Sequence, residues 1–536
     1  MEKQNDDPVV GGRYARYVLV VLVIVYVFNF IDRQILSILA EDIKADLGVT
    51  DAQIGFLYGT AFAVFYAVFG IPLGRLADVW VRRSLIASGL LFWSAMTALS
   101  GTARGFGSLA VFRFGVGIGE ASASPAAFSM LSDYFPPRLR ATAISIYSSG
   151  IYIGAGIGIF LGGLIVDNWN IQFDGGESAP FGLLGWQAAF MAVGLPGILM
   201  AAWVVTLKEP QRGVAEGLPA QPPHPAPFRA AFEELTSVLP PLTVLAVLRN
   251  GGGGRGVAIN LSMAAAVTLL AVMLTEALGT PSQWIALGIG VYAAASWAQV
   301  LKLRDAPAFG LILGSSTMRW VVLGFPCIAF VTYGFGFWSA PFLIRVHGAS
   351  ASEVGIWLGL GAAVGGWIGV TLGGVLSDVF KARFAAARIW VGLLSAVAAV
   401  PAGLTVIYTD SLVVAYVASF VFSILSPMWV GCGATSVTDL VLPRMRALAS
   451  SFYILMLTFI GLALGPWGIG RLSDALATGG MESGDALRMA MASALGMIGV
   501  AAVTLSLAAR SLPGEEASRE ARARALGEPD AGVNLA

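Results

Sequence analysis

At 536 residues, with 57% hydrophobic and 12% charged side chains and a mean hydropathy of +0.78, the chain falls outside the soluble globular class, whose apolar share runs about 45–50%. Its 32 basic residues balance 32 acidic ones, so the charge does not point to nucleic acid or to an acidic soluble partner. The two cysteines, Cys327 and Cys432, lie in apolar runs and read as small buried residues, giving no disulfide or metal framework.

The opening stretch MEKQNDDPVVGGRYARY is mixed in charge and leads into a full-length apolar helix without a small-residue cleavage site, so residues 1–16 are expected to be a cytoplasmic tail. Apolar runs of about 20 residues, long enough to cross a bilayer, follow near 17–39, 53–77, 84–103, 109–132, 141–166 and 186–207. From Lys208 the character changes to Pro, Gly and polar residues, ending in RNGGGGRG, which is linker chemistry; Phe228 to Leu248 within it reads as an amphipathic surface helix. Two more runs, 257–278 and 284–301, precede the polar KLRD. A second set of six follows near 320–344, 353–377, 386–408, 412–438, 447–470 and 487–509. The expected fold class is therefore an all-α polytopic membrane protein. Six-helix bundles at 17–207 and 320–509 flank a linker (208–256), two inserted helices (257–301) and a connection (302–319), with a charged tail at 510–536.

Within the fourth run, LAVFRFGVGIGEASASPAAFSMLS, stand Arg113 and Glu120. Each such charge costs about 2.5–3.5 kcal/mol at the centre of a membrane helix on insertion scales, so two retained in one span point to use. Gly115, Gly117 and Gly119 permit a close helix neighbour, and Pro125 frees the carbonyl of Ala121 and bends the helix just beyond Glu120. The first run carries Asn29, Asp32 and Arg33.

Lys and Arg cluster in alternate loops: Arg75, Arg82 and Arg83; Arg138 and Arg140; Lys208 and Arg212; Lys302 and Arg304; Lys381 and Arg383; Arg444 and Arg446. The other loops carry Glu41, Asp42, Asp167, Asp174, Asp410 and Glu482 instead, which places both termini in the cytoplasm. Two of the basic loops are echoed. GRLADVWVRR (Gly74 to Arg83) returns as GVLSDVFKAR (Gly374 to Arg383), and DYFPPRLRATAISIY (Asp133 to Tyr147) as DLVLPRMRALASSFY (Asp439 to Tyr453). Two equivalent halves imply alternating access around a site near the membrane midplane.

The loop GxLADxxxRR with its echo resembles the signature loop of the major facilitator superfamily. FNFIDRQIL, GLLFWSAMTALSG, RFGVGIGEASASP and DYFPPRLRA in the first half resemble its spinster branch, and GPWGIGRLSD in the second half agrees by architecture. The resemblance implies a proton-linked carrier of lysophospholipids or sphingoid phosphates. It also implies a cytoplasmic gate in which Asp78 meets a helix end of the other half. To that gate we assign Gly74, Asp78, Arg82, Arg83, Asp133, Arg138, Arg140, Gly374 and Asp378. Two departures stand out: GIYIGAGIGIFLGG has Ala155 where the exchanger motif of the superfamily has proline, and the inserted pair has no place in a twelve-helix pattern.

At 1.5 Å per residue, Asp32 and Arg113 lie at matching depths, about 10 and 6 Å from the outer boundary, and Glu120 two turns deeper. Asp32 is expected to be the principal proton carrier, coupled to Arg113 and Glu120, with protons the coupling ion and no metal or other cofactor. Arg33 points about 100° away from Asp32 and needs another partner, Glu120 or the substrate. Asn29 supports the site. The alternative is a permanent ion network that only fixes helix packing.

The second half lacks a comparable mid-membrane charge. Its first core run, FPCIAFVTYGFGFWSAPFLIRV, is aromatic, and Phe337 and Trp338 are assigned to a wall that suits the tail of an amphipathic ligand. The competing reading is a symporter of small organic anions, sugar acids or carboxylates, bound directly by Arg113. A lipid enzyme is disfavoured, since His224 and His347 are the only histidines and no nucleophile motif or metal cluster stands out. The protein is expected to work as a monomer in a bacterial inner membrane.

Overall fold

The computed structural model describes residues 10–173, 179–216 and 224–528, and among these every regular element is helical. Among the described residues twelve helices are long and apolar enough to cross a membrane. The third and fourth of the fourteen expected spans fall outside that set but are helical. The third, Arg82–Ser100, begins with a pair of arginines, and the fourth is built from Phe106–Glu120 and Ala123–Tyr134. The fourth breaks at Ala121 and Ser122, where Pro125 was expected to bend it, and the Ser122 hydroxyl donates to the Gly119 carbonyl at 2.8 Å. In chain order the others are Arg13–Ile38, Asp51–Val79, Thr142–Phe173, Gly185–Val205, the inserted Gly253–Leu278 and Pro281–Arg304, then Ser316–His347, Ala351–Lys381, Ala387–Tyr408, Leu412–Asp439, Leu448–Thr478 and Ser483–Ala517. In each unit the helix ends on the side of Arg13, in the first, or of Ala517, in the second, are called here the terminal face.

The expected surface helix over 228–248 is two helices, Pro227–Val238 and Thr243–Arg249, bent by 103°. Pro240 and Pro241 lie at the bend, and two prolines in succession remove two backbone donors that a continuous helix would need.

The chain forms two compact units. The first comprises residues 1–49, 65–235 and 348–364, and the second 50–64, 236–347 and 365–536, so the second and tenth spans each pass from one unit to the other. In the first unit the start of the tenth span packs on the fifth. A Cβ at Gly355 or Gly359 would fall 3.0 or 2.6 Å from the carbonyl oxygens of Ile159 and Gly156, and the Asp167 carboxylate accepts the Ser352 N–H at 2.6 Å. In the second unit the start of the second span packs on the thirteenth in the same manner. A Cβ at Gly55 or Gly59 would fall 2.5 or 2.3 Å from the carbonyl oxygens of Pro466 and Leu462, while the Asp474 carboxylate accepts the N–H groups of Asp51 and Ala52 at 3.0 and 2.8 Å. Glycines four apart bring two backbones into contact, and a carboxylate satisfies the free donors of a helix start.

The second unit also holds the inserted pair and the tail. Asn260, fully buried in the seventh span, accepts from Tyr292 at 2.6 Å and donates to Ser296 at 3.0 Å and Gln299 at 2.9 Å. At the terminal face Arg444 donates to Asp305 at 2.6 Å and pairs with Glu528, which fastens the tail helix Arg519–Ala525 to the connection after the eighth span. Hydrogen bonds from Arg444 hold the Asp305 carboxyl below the usual range. Cys327 and Cys432 are buried and unbridged.

Asn260 is the polar knot of the inserted pair. Asn260→Leu leaves Tyr292, Ser296 and Gln299 without it, and a loss of about 1–2 kcal/mol is expected from membrane hydrogen-bond energies. Thermal unfolding in detergent checks this: a melting temperature equal to that of the parent would contradict the role.

Candidate functional site

The first and fourth spans bring the expected charges together inside the first unit. Asn29, Asp32, Arg113 and Glu120 are all at most 2% exposed. Arg33 donates to the Glu120 carboxylate at 2.7 Å, and its guanidinium lies over the rings of Phe30 (4.6 Å) and Tyr66 (5.7 Å). Of the two partners open to Arg33 in the sequence, this is the protein one. Asn29 stands beside the same carboxylate. Arg113 differs from expectation, because its Nη1 donates to the backbone carbonyl of Asp32 at 3.1 Å and not to the Asp32 carboxylate. No hydrogen bond of normal geometry reaches either carboxylate oxygen of Asp32 among the described residues, although Glu120, Arg113, Thr97 and Trp93 all surround it.

The local sequence explains how these groups meet. Asp32 and Arg33 are adjacent on a helix, so their side chains diverge by about 100° and cannot both face one point. Once Arg33 takes Glu120, Asp32 is turned toward the third span, where Trp93 and Thr97 present a polar face one turn apart. Gly119 allows this third span in, since a Cβ there would lie 2.8 Å from Trp93.

At the terminal face of the first unit Arg82 is completely buried. It pairs with Asp133, donates to Glu209 at 2.7 Å, and caps the Pro210 carbonyl at 2.7 Å. Arg83 donates to the Leu207 carbonyl through its side chain and to Glu209 through its backbone N–H at 3.0 Å. Arg140 donates to the Ser132 carbonyl at 2.9 Å. Asp78 is exposed, in the field of Arg212, Arg75 and Arg82, and the Arg138 side chain lies outside the described residues. A Cβ at Gly74 or Gly374 would meet nothing within 4 Å.

The second unit repeats this cluster with a residue that sequence reasoning missed. Arg388 pairs with Asp439, and, as for Arg82 and Asp133, 51 residues separate the partners. Arg388 also donates to Asp378 at 3.1 Å, and Lys381 joins Asp439 to Glu516. The sequence echo had set Asp378 and Arg383 in register with the first half, but Arg383 is exposed and the working arginine lies further on, at the start of the next span. Its position as the only basic residue opening that span was the available signal.

A third cluster on the opposite face, also in the second unit, was likewise missed. Arg345 grips Asp51 with both nitrogens, each at 2.8 Å, and Ser473 donates to the same carboxylate at 2.8 Å. Phe337 and Trp338, assigned to a substrate wall, are fully buried in this unit; Phe337 meets Tyr58 at 4.5 Å, and Trp338 donates to the Pro466 carbonyl at 2.8 Å.

Residues 22–466 match the family profile described as Major Facilitator Superfamily. An MFS-type efflux pump of Mycolicibacterium smegmatis is 26% identical over 485 residues, 90% of each chain. A probable galactarate/D-glucarate transporter of Bacillus subtilis is 25% identical over 370 residues, 68% of this chain and 64% of its own. Among solved structures, a bacterial homolog of the human lysosomal transporter spinster aligns with a TM-score of 0.71 at 29% identity, covering 94% of this chain and 98% of that one.

Two outcomes test the clusters. Glu120→Gln strands the Arg33 cation and is expected to cost about 3 kcal/mol, while Arg33→Met together with Glu120→Gln recovers part of that loss, because removing both charges also removes the desolvation cost. A double variant as unstable as the sum of the single ones would refute the pairing. Arg388→Ala is expected to lower the melting temperature and Arg383→Ala to leave it unchanged; equal effects would mean the sequence register, not the geometry, identifies the second-half arginine.

Proposed function

The chain belongs to the Major Facilitator Superfamily and is an integral membrane protein, and we propose that it is a proton-coupled secondary carrier of a lysolipid or sphingoid-like amphipath, working by alternating access. The observation that carries this reading is the Asp32 carboxylate: buried, free of normal hydrogen bonds among the described residues, and next to a cation already engaged elsewhere. A carboxyl of that kind can take up or lose a proton as access to it changes, with Glu120 held by Arg33 as the fixed counter-charge. Similarity to the spinster structure supports the spinster resemblance from which the lipid substrate class is drawn, and similarity to the efflux pump supports a carrier. In this reading the residues of the terminal-face clusters form the inner gate, the termini are cytoplasmic, the membrane is a bacterial inner membrane, and a monomer suffices.

A second reading is favoured by a specific likeness, that to the galactarate/D-glucarate transporter: symport of small organic anions, with Arg113 as the substrate ligand. Transport in proteoliposomes under an imposed pH gradient separates the two. Gradient-driven movement of labelled lysophospholipid, abolished by Asp32→Asn and reduced about tenfold or more by Arg113→Ala in folded protein, is the expected result. Uptake of sugar acids with no lysolipid movement would transfer the assignment to the anion symporter.

A further inference from the structure

The two inserted spans are the part of the chain that a twelve-helix carrier does not need, and their contacts are uneven. The seventh span, Gly253–Leu278, is exposed along almost its whole length, with only Gly256 and Asn260 buried. The eighth, Pro281–Arg304, instead runs antiparallel along the thirteenth. Trp284 meets Trp467 edge-on at 4.9 Å, Gly290 faces Phe459 so closely that a Cβ would lie 2.6 Å from the ring, and Trp297 stacks on Phe452 at 6.3 Å. Arg471 fastens the turn between the inserted helices by donating to the Leu278 carbonyl at 2.6 Å.

One polar contact in this seam lies at a special place. The second span is interrupted at Gly59, with φ −90° and ψ −82°, between Asp51–Tyr58 and Thr60–Val79. Its partner, the thirteenth span, widens to a π-helical turn over Leu457–Ala463 at the same level. Thr60, the first residue after the interruption, is completely buried, and its hydroxyl lies 2.6 Å from the Gln283 side-chain oxygen and 2.9 Å from the Ala463 carbonyl oxygen. A hydroxyl has one hydrogen. Both contacts are satisfied when the Gln283 amide is turned so that its nitrogen donates to Thr60 and Thr60 donates to Ala463, which also provides for the Gln283 nitrogen, otherwise without a partner. The backbone around Gly59 keeps its own bonds, Gly59 N–H to the Gly55 carbonyl at 2.9 Å and Ala63 N–H to the Gly59 carbonyl at 2.8 Å, so the inserted helix reaches the interruption through a side chain: Gln283 holds the Thr60 hydroxyl, which answers the Ala463 carbonyl of the π-helical turn.

We propose that Gln283 is a positioning residue: through Thr60 the inserted pair fixes the interruption in the second span, the helix that passes from one compact unit to the other. The pair is then a working part of the carrier rather than a peripheral addition. This rests on the carrier reading for its consequence in transport, but its structural core does not need any substrate.

Hydrogen–deuterium exchange of the full-length protein in lipid nanodiscs tests it, comparing the parent with Gln283→Leu, Thr60→Val and Thr60→Ser. Amides of 59–66 are expected to exchange about three- to tenfold faster in Gln283→Leu and Thr60→Val, as the loss of one membrane side-chain hydrogen bond implies, and at the parent rate in Thr60→Ser. The isosteric Thr60→Val keeps the test open should Gln283→Leu fold poorly. In proteoliposomes the same two variants are expected to lower the maximal rate of lysophospholipid transport while KM stays within twofold, an about unchanged ground-state affinity. Exchange over 59–66 that is unaltered in both variants, or acceleration confined to 281–304, would overturn the proposal. If the exchange changes as expected while the parent moves no lysolipid, the substrate assignment fails and the positioning role stands.

Discussion

A hydrocarbon interior offers no hydrogen bonds, so every charge carried into it must be answered from the protein, and the ion pair between Arg33 and Glu120 is where that constraint organises the first unit. The pair fixes the rotation of the first span against the fourth. Because Asp32 precedes Arg33 on the same helix, fixing one side chain also turns the other, toward Arg113 and the polar edge of the third span. Gly119 of the fourth span belongs to the same arrangement, since only a side chain of hydrogen lets Trp93 come close enough to border the site. Pairing, rotation and helix approach are thus one solution to one electrostatic problem, and the group it leaves without a bonded counter-ion is Asp32.

At the terminal face water is available and the same rule acts with less force. Arg82 is buried and answered four times, by Asp133, Glu209, Ser129 and the Pro210 carbonyl. Its counterpart Arg388 is half-buried and answered by two carboxylates, one of them largely exposed. The duplicated halves therefore keep the pairing of an arginine at the start of one span with an aspartate 51 residues later, while differing in how completely they enclose it. A half-buried pair of the second kind contributes less to stability than a buried arginine with its donors satisfied, which resists separation of its partners.

What the sequence made legible follows from periodicity and punctuation. Twelve of the fourteen apolar runs as candidate spans, the bend before Pro125 and the meeting of charges on the first and fourth runs all depend on residue type and spacing along one helix, and these the structure retains among the described residues. Choice of partner was less legible. Arg113 had two acceptors within one residue, the carboxylate and the carbonyl of Asp32, and sequence cannot distinguish them. Asp51 follows Thr50, whose hydroxyl accepts the Gln53 N–H as a cap, and that it receives both nitrogens of Arg345 depends on helices nearly three hundred residues apart. Arg388 was missed because the echo of the loop was read at constant register, whereas the arginine that opens the next span stands four residues after the loop aspartate in the first half, Asp78 to Arg82, and ten after it in the second, Asp378 to Arg388.

The division of the second and tenth spans has a cause that a single helix does not reveal. Each opens with two glycines four residues apart, Gly55 with Gly59 and Gly355 with Gly359, and each lays that face on a backbone in the fifth core helix of the other sequence half. Each helix start is then capped by an aspartate from the helix it touches, Asp474 for Asp51 and Ala52, and Asp167 for Ser352. Close backbone contact plus a capped terminus is a strong local reason for a segment to stay with its partner, and it competes with continuity along its own helix. In the tenth span the helix runs on unbroken through Ala351–Lys381, whereas in the second it is interrupted at Gly59, where the π-turn of the thirteenth span and the inserted pair also converge. The repeat thus supplies two equivalent contacts, and the insertion marks one of them: there a third helix holds the Thr60 hydroxyl, and that hydroxyl answers the Ala463 carbonyl where the π-turn closes, so the polar groups at the irregular seam are met by side chains.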